Sequence, residues 1–468
     1  MFNPKTYIQR RMLLKKALKS GLALFLGHEE SPMNYTANTY PFRQDSSFLY
    51  FFGLDTPSLA AVIDVEAGTD TIYGDDLTLE DVIWMGDLPK LTERAAAAGV
   101  YMTAPLARLG EAIAEAKKKN RPIHYLPPYR SESWARLSGL LGVPPQEIKS
   151  GASNDLIKAV VAQRSIKSEE EIAEMEKALA VTHKMYIAAM TSVKPGLTES
   201  DIVGAIDGIA LAHGVQTAFS IILSMNVHIF HNPHHHDKLQ KGRLLVIDSG
   251  ASSPLGYASD ITRTFPVSGV YTQKQREVYE VVLKGQLQAI ASMKPGIMYK
   301  DIHLSAAKTM ASGLKDLGLM KGDVEEAVAA GAHALFFPHG LGHMIGLDVH
   351  DMEGLGENNV GYDETVSRSS QFGLAYLRMA RELRPGFVLT VEPGVYFIPA
   401  LIDKWKGEKR LAAFIDYAKV EDYRDFTGIR IEDNVLITKD GSRVLGRPIP
   451  KKVKDIERTM AAGKKKQR

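Results

Sequence analysis

Five short clusters in the second half of the chain combine acids and histidines with apolar runs. Four of them place a carboxylate on or beside a strand-like segment, where a charged group is costly to desolvate unless something compensates it. An arginine could neutralise one buried acid, but four acids with a histidine are better explained by divalent cations. The clusters lie at residues 246–250, 259–265, 339–343, 390–394 and 430–433. Together they predict a two-metal hydrolase.

Asp248 and Asp260 are predicted to meet across a β-hairpin. Asp248 ends an apolar run at residues 244–247, and Asp260 follows twelve positions later, after a loop that contains glycine. Two carboxylates brought together repel each other, so one would have to stay protonated without a cation. Either aspartate alone would more often be a turn or cap residue, so the prediction depends on the pair.

The next cluster carries His339 and His343, with His350 a short distance downstream. The spacing of the first two is that of a zinc-protease helix, but the glutamate between them is missing and two glycines disfavour a helix. We therefore expect a loop that offers one histidine as a metal ligand and another to the substrate. A lone histidine is more often structural, whereas three in one glycine-rich stretch favour a functional site.

Two glutamates complete the set. Glu392 follows the apolar run at residues 387–391, and strand alternation would direct Arg430 and Glu432 to one face. That pair is either a simple salt bridge or a metal-bridging glutamate supported by an arginine. Four carboxylates and one imidazole suit manganese or magnesium better than structural zinc. Two such cations would deprotonate a shared water and polarise a scissile carbonyl.

A histidine-rich loop stands apart from this set. Residues 234–236 form a polyhistidine run, which usually marks exposed side chains or adventitious metal binding. His231 differs from them because it directly follows an apolar pair at residues 229–230, before the loop begins. We therefore consider His231 separately from the run.

Composition limits the classes of protein to consider. With 468 residues, the chain is long enough for more than one domain, and its net charge of +2 gives no reason to expect nucleic acid or an anionic membrane. The apolar run at residues 21–27 is better explained as a strand after an amphipathic helix than as a signal peptide. No uncharged run approaches the roughly 20 residues of a membrane span. The absence of cysteine excludes disulfides and thiolate chemistry and fits a cytoplasmic location.

Two features divide the chain. A helix-start pattern at residues 167–172, with Ser168 as its cap, indicates a domain boundary near residue 165. Beyond it, residues 192–202 recur as residues 292–302, with Lys-Pro-Gly and Asp-Ile at the same offset. Each copy lies between two helix-like segments. The repeat therefore predicts a catalytic domain built from two related halves.

In this order, the five clusters resemble those of the pita-bread metallopeptidases. The likeness is specifically to the proline-directed branch, the Xaa-Pro aminopeptidases (aminopeptidase P) and the Xaa-Pro dipeptidases (prolidases). Residues 40–48 and 51–53 are similar to the non-catalytic domain of that branch. The resemblance implies an α+β pita-bread catalytic domain with pseudo-twofold halves at residues 166–468. It also implies a smaller α/β domain before it, at residues 1–165.

The resemblance implies one ligand set for two divalent cations, with manganese as the expected metal. The ligands are Asp248, Asp260, His343, Glu392 and Glu432. Asp260 and Glu432 would bridge the two cations. Glu392 would also serve as a proton shuttle.

Five further positions match residues on the substrate side of the family's site. His231 and His350 match residues that contact the substrate and stabilise the tetrahedral intermediate. His339 matches a further substrate-side histidine, and Arg430 matches the supporting arginine. Arg378 resembles an arginine that contacts the substrate carboxylate in prolidases.

The implied activity is removal of the N-terminal residue from peptides with proline in second position, by a homo-dimer or homo-tetramer. An Xaa-Pro dipeptidase is the main alternative. Arg378 and the long segment at residues 398–425 favour it, whereas residues 40–52 are more similar to aminopeptidase P. The residues that follow His231 depart from the family pattern. The complete ligand set disfavours a catalytically dead binding protein and a metal-free, creatinase-like hydrolase, and the large N-terminal domain disfavours a methionine aminopeptidase.

Overall fold

The structure, a computed structural model, describes residues 1–466. One compact unit consists of Met1–Arg164 with the short segment Met352–Asn359, and the other of Ser165–Asp351 with the chain from Val360 onward. The division into domains at residues 1–165 and 166–468 stays a prediction. Within the described chain, no helix combines the length and the apolar composition that crossing a bilayer requires.

The N-terminal unit contains a mixed sheet with helices. Its helices are α1 (Pro4–Ala17), α2 (Ser46–Phe52), α3 (Leu79–Met85), α4 (Leu91–Ala97), α5 (Leu109–Lys118), α6 (Ser131–Leu141), α7 (Pro145–Ile148) and α8 (Asn154–Ser165). Its strands are β1 (Leu22–Leu26), β2 (Pro32–Tyr35), β3 (Asn38–Thr39), β4 (Ala60–Asp64), β5 (Asp70–Tyr73), β6 (Met102–Ala104) and β7 (Ile123–Tyr125). Five strands pair in the order β6-β5-β4-β1-β7, in which β1 is antiparallel to β4 and parallel to β7.

Helix α1 leads into the buried strand β1 as predicted, but its inner face differs from the apolar face of an amphipathic helix. The buried residues of this helix are Tyr7, Arg10, Arg11 and Leu14. Arg11 donates a hydrogen bond to Asp70 at 2.8 Å. The guanidinium carbon of Arg10 lies 3.9 Å from the centre of the Tyr50 ring. Basic residues near the N-terminus therefore stabilise the fold through specific partners.

The remaining elements belong to the second unit, except that the helix at Glu357–Val360 begins in the segment 352–359 of the N-terminal unit. The helices are α9 (Glu169–Ser192), α10 (Glu199–Ala212), α11 (Gln273–Ser292), α12 (Tyr299–Asp316), α13 (Val324–Ala329), α14 (Glu357–Val360), α15 (Pro399–Gly407), α16 (Tyr417–Glu421) and α17 (Val453–Lys466). The strands are β8 (Ile222–Ser224), β9 (Leu244–Ser249), β10 (Ile261–Pro266), β11 (Val388–Val391), β12 (Gly394–Tyr396), β13 (Gly428–Arg430), β14 (Asp433–Ile437) and β15 (Ser442–Val444).

The repeat predicted from the sequence is present as two helical pairs. Helix α9 passes through a Pro-Gly turn into α10, and α11 does the same into α12. Gly196 and Gly296 have φ angles of 95° and 84° in these turns, a conformation that favours glycine. Ser168 caps α9 as expected, in a capping box with Glu171.

The strands of this unit pair in antiparallel fashion. Strands β8, β9 and β10 form one sheet, β11, β14 and β15 form a second, and β12 pairs with β13. Isolated bridges join Thr262 to Glu432 and Met344 to Leu389, so the sheets meet at the acidic and histidine clusters. The antiparallel sheets and the two helical pairs make the α+β pita-bread domain that the family resemblance implies.

Candidate metal centre and active site

The hairpin of β9 and β10 brings Asp248 and Asp260 together. Asp248 lies within β9, and Asp260 immediately precedes β10. The connection is tight, because a Cβ on Gly250 would lie 1.8 Å from the carbonyl oxygen of Ser259. Asn434 holds the backbone of Asp260: its Oδ1 accepts from the N–H at 3.0 Å and its Nδ2 donates to the carbonyl at 2.6 Å. The hairpin thus fixes both carboxylates at one end of the sheet.

Glu432 lies beside the same hairpin, next to β10 on the side away from β9. The strand expected here is interrupted at Ile431, so β13 ends at Arg430 and β14 begins at Asp433. The backbone N–H of Glu432 donates to the carbonyl of Thr262 at 3.0 Å, and the Thr262 hydroxyl donates to Glu432 Oε2 at 2.7 Å. Nε of Arg430 donates to the same hydroxyl at 3.2 Å. Arg430 and Glu432 therefore share one side despite the break.

His343 presents Nε2 to these carboxylates. Its Nδ1 lies 3.0 Å from the carbonyl oxygen of Met344, and since a carbonyl can only accept, Nδ1 carries the proton. Nε2 lies 3.5 Å from Asp260 Oδ2 and 3.6 Å from Glu392 Oε1. The backbone N–H of His343 donates to Thr390 Oγ1 at 3.0 Å, which ties the loop to β11 just ahead of Glu392. This tautomer is the one a metal ligand needs.

The donor set of this cluster fits a divalent cation. Among the described residues, Asp248 Oδ1, Asp260 Oδ1 and Glu432 Oε1 are buried without a hydrogen-bond partner. Burial and neighbouring carboxylates raise the pKa of Asp260 and of Glu432 well above the ordinary values. Ligand atoms of Asp260, His343 and Glu432 all lie within 4.8 Å of one another. A cation would bind the unsatisfied oxygens and offset their repulsion.

Arg430 connects the carboxylates to a substrate-side histidine. Its Nη2 donates to Asp248 Oδ2 at 2.6 Å, and its Nη1 donates to the Tyr396 hydroxyl at 3.2 Å. That hydroxyl lies 2.9 Å from Nε2 of His339, whose Nδ1 lies 2.8 Å from the carbonyl of Gly340. The carbonyl keeps the proton on Nδ1, so the Tyr396 hydroxyl donates to Nε2. Burial, followed by the charge of Arg430, lowers the pKa of His339 to about 3, which keeps its ring neutral.

A cavity of about 480 Å³ borders this centre. Its wall contains every residue that the sequence suggests for the site. They are His231, Asp248, Asp260, His339, His343, His350, Arg378, Glu392, Arg430 and Glu432. The His350 ring lies against the His343 ring with centroids 4.3 Å apart, whereas His231 is exposed. Apolar residues, including Phe219 and Ile222, line the same cavity.

Three residues of this network are missing from the sequence-based set. Thr262 and Thr390 each lie two positions from an acid of the cluster, and they hold Glu432 and His343 respectively. Strand alternation, which pairs Arg430 with Glu432, could have identified both threonines. Tyr396 carries no comparable signal, because its partner His339 is 57 positions away in the sequence.

Two regions of the chain match known protein families. Residues 173–439 match metallopeptidase family M24, and residues 7–124 match the aminopeptidase P, N-terminal domain. The first match covers more than half of the chain and includes all five acid and histidine clusters.

Similar sequences carry two functional names. Xaa-Pro dipeptidase from Homo sapiens is 31% identical over 96% of this chain and 91% of its own length. A probable Xaa-Pro aminopeptidase from Fusarium vanettenii is 33% identical over 89% of this chain and 87% of its own length. Relatives of both specificities therefore match nearly the whole chain.

Solved structures also match across both units. A variant of Escherichia coli aminopeptidase P in complex with substrate has a TM-score of 0.80, with 29% identity over 99% of each chain. The aminopeptidase PepP of Pseudomonas aeruginosa has a TM-score of 0.82, with 26% identity over 99% of each chain. The E. coli enzyme with the inhibitor Pro-Leu has a TM-score of 0.79 at 29% identity.

Proposed function

The chain belongs to metallopeptidase family M24, and on that premise we propose that it is a two-metal Xaa-Pro aminopeptidase. It would remove the N-terminal residue from peptides with proline in second position. One observation carries the proposal: buried carboxylate oxygens without partners converge beside a cavity lined by three further histidines and two arginines. The likeness to aminopeptidase P over 99% of the chain supports the choice of reaction.

We assign the cations to Asp248, Asp260, His343, Glu392 and Glu432. As the family resemblance implies, Asp260 and Glu432 would be shared between the two metals; like Asp248, each keeps a buried oxygen without a hydrogen-bond partner that a cation could take up. When bound, the cations would supply an activated water and polarise the scissile carbonyl. The oxygen-rich set supports manganese as the native metal.

We assign proton transfer to Glu392. Its Oε1 lies 3.6 Å from His343 Nε2 and 3.5 Å from the Thr390 hydroxyl. Burial raises the pKa of Glu392, which favours a carboxyl able to accept a proton and release it again. Glu392 would take a proton from the attacking water and give it to the proline nitrogen as the peptide bond breaks.

His350 and His231 would donate hydrogen bonds to the carbonyl oxygen as negative charge develops there. His339 has a different task. With Nδ1 on a carbonyl and Nε2 accepting from Tyr396, it is held neutral and fixes the wall beside the substrate. Arg430 orients Asp248 and the Tyr396 hydroxyl at the same time.

Substrate length separates the two activities of this branch. A dipeptide ends in a carboxylate just beyond its proline, so a dipeptidase gains selectivity from a fixed cation at that end. Arg378 lines the cavity and could supply this cation. A human relative of this chain is named Xaa-Pro dipeptidase, so dipeptidase activity is the second candidate. The likeness to solved aminopeptidase P structures over 99% of the chain favours longer peptides.

The test is a comparison of kcat/KM for a dipeptide, a tripeptide and a pentapeptide that all begin with Xaa-Pro. We expect the longer peptides to be cleaved at least as well as the dipeptide, and Arg378→Ala to change that order little. Arg443→Ala is a matched control, since Arg443 forms a surface pair with Glu176. Cleavage of the dipeptide alone, with selectivity lost in Arg378→Ala, would establish the dipeptidase instead.

We further propose that the protein is a homo-oligomer. Helix α3 supports this, because it has no buried residue and exposes Leu79, Ile83, Trp84 and Met85 by 71–78%. Trp84→Glu should therefore lower the mass measured by light scattering, while Tyr101→Glu, at a residue 82% exposed elsewhere in the unit, should not. A wild-type monomer at micromolar concentration would refute the proposal.

A cytoplasmic location stays a proposal supported by the absence of cysteine.

A further inference from the structure

A buried ion pair lies beside the loop that carries His350. Nζ of Lys167 and Oδ2 of Asp351 are 2.9 Å apart, and each side chain is only 1% exposed. Both residues belong to the catalytic unit. Taking two charges out of water is costly even when they pair, so a buried ion pair is weak evidence for added stability. A role in fixing local geometry explains its presence better.

Asp351 closes the loop in which His350 lies. Its backbone N–H donates to the carbonyl of Met344 at 2.9 Å, and its Oδ1 accepts from the backbone N–H of Asp348 at 3.3 Å. The N–H of Gly346 donates to the carbonyl of Asp348 at 3.0 Å. His350 therefore lies between two residues that are tied to each other, and the second oxygen of Asp351 accepts from Lys167.

Lys167 is anchored on the other side by rigid structure. Its backbone N–H donates to the carbonyl of Gly386 at 2.8 Å, and the next residue, Ser168, caps the 24-residue helix α9. The ammonium group is thus presented from the start of a long helix. Asp351 is the last residue of the catalytic unit before the segment 352–359, so the ion pair lies at the end of the His350 loop.

Gly346 provides the room for this contact. A Cβ at this position would lie 2.5 Å from Asp351 Oδ2 and 3.0 Å from Cε of Lys167. The carbonyl of Gly346 accepts from the N–H of Ala258 at 2.7 Å, close to Asp260 in the sequence. A side chain here would therefore push the ion pair apart without removing either charge.

We propose that the Lys167–Asp351 ion pair is a positioning device that holds the His350 imidazole where the substrate carbonyl must bind. This inference rests on the proposed function, since it gives Lys167 and Asp351 their effect through His350. Misplacing a catalytic group by about 1 Å can cost about a hundredfold in rate. Lys167 and Asp351 themselves would touch neither the metals nor the substrate.

The test uses the full-length, manganese-loaded protein and a peptide that begins with Xaa-Pro. Lys167→Met and Asp351→Asn should each lower kcat about a hundredfold, with manganese content unchanged. The double variant should lose no more than the worse single variant, because both act through one contact. In a His350→Ala background, Lys167→Met should cause no further loss.

Arg11→Met is a matched control for the loss of a buried charge. Arg11 is also 1% exposed and pairs with Asp70 in the N-terminal unit, so its loss should lower the melting temperature and leave kcat unchanged. If the charge variants do not fold, Gly346→Ala carries the test, because it keeps both charges and should still lower kcat.

Three outcomes would overturn the inference. In the first, folded Lys167→Met or Gly346→Ala keeps the wild-type kcat. In the second, Lys167→Met loses manganese. In the third, Lys167→Met lowers the rate by the same factor with and without His350. The proposed function fails in a different way, if the wild-type protein loaded with manganese does not cleave the Xaa-Pro peptide; the role of His350 has its own test. If His350→Ala itself retains full kcat, the assignment of His350 is wrong, and the ion pair loses its role with it.

Discussion

The carboxylates of the metal centre and the histidines of the substrate side are held by different kinds of structure. Asp248 lies within a strand, and Asp260, Glu392 and Glu432 lie directly beside strand ends. His231, His339 and His350 lie in irregular segments between elements. Backbone pairing in antiparallel sheets therefore fixes the first group, whereas side-chain hydrogen bonds and ion pairs must fix the second.

Because of this difference, we expect substitutions in the two groups to have different effects on metal binding and on rate. A strand-end carboxylate keeps its place when a neighbouring side chain is changed, but its own loss removes a metal ligand. A loop histidine can be removed without loss of metal, but it depends on distant residues for its position, as His339 depends on Tyr396. Variants in the two groups should consequently separate metal binding from rate.

The largest effect is expected from the shared carboxylates. Asp260→Ala or Glu432→Ala should abolish peptide cleavage and lower the bound metal, because both cations would lose a common ligand. Mass spectrometry of bound metal and a cleavage assay check both parts. If either variant keeps full activity and two metals per chain, the substituted residue is not a metal ligand.

Chelation of the metals should inactivate the wild-type protein, and added manganese should restore its activity more fully than added zinc.

The substrate-side histidines should show an intermediate effect. His350→Ala and His231→Ala should keep their metal and lose about a hundred- to a thousandfold in kcat, as expected when one donor to a developing oxyanion is removed. His234→Ala is the control, since His234 is exposed and its ring stacks on that of His236. It should change kcat little. Loss of metal in His350→Ala would make this residue a ligand.

The smallest effect is expected on the stability of the metal-free protein. Asp260→Asn should raise its melting temperature by about 2–4 °C, which corresponds to about 1 kcal/mol in larger domains. The reason is that burial and Asp248 raise the pKa of Asp260 in the folded protein, so folding at neutral pH must either protonate this group or bury its charge, and the amide removes that cost. The neighbouring Asp433→Asn should have the opposite effect, because Asp433 is paired with Arg263 at 2.7 Å and with Lys451 at 2.6 Å. Calorimetry after metal removal would contradict this contrast if both variants were destabilised.

The sequence predicts the strand-side group more completely than the loop side. An acid next to an apolar run has a physical reason to be there, so Asp248, Asp260, Glu392 and Glu432 could be found without coordinates. The helical repeat was found in the same way, because Pro-Gly turns and caps are local signals. Beyond the hairpin of β9 and β10, the antiparallel pairing of the strands could not be predicted in this way, because no single segment of the sequence specifies its partner strand.

Contacts over long sequence distances could not be predicted. Lys167 and Asp351 are 184 positions apart, and neither lies in a motif that suggests the other. The sequence predicts that Arg10 and Arg11 lie in an amphipathic helix before a strand, but it does not indicate the partners across the N-terminal unit that explain their burial. The segment Met352–Asn359 belongs to the N-terminal unit, which no change in composition indicates.

The number of cations that support cleavage tests the proposed mechanism most directly. Metal-free protein would be titrated with manganese while bound metal and cleavage of an Xaa-Pro tripeptide are measured on the same samples. We predict two manganese ions per chain, with release of the N-terminal residue reaching its maximum only as the second ion binds. Full cleavage with one ion per chain, or in the presence of excess chelator, would contradict the two-metal account.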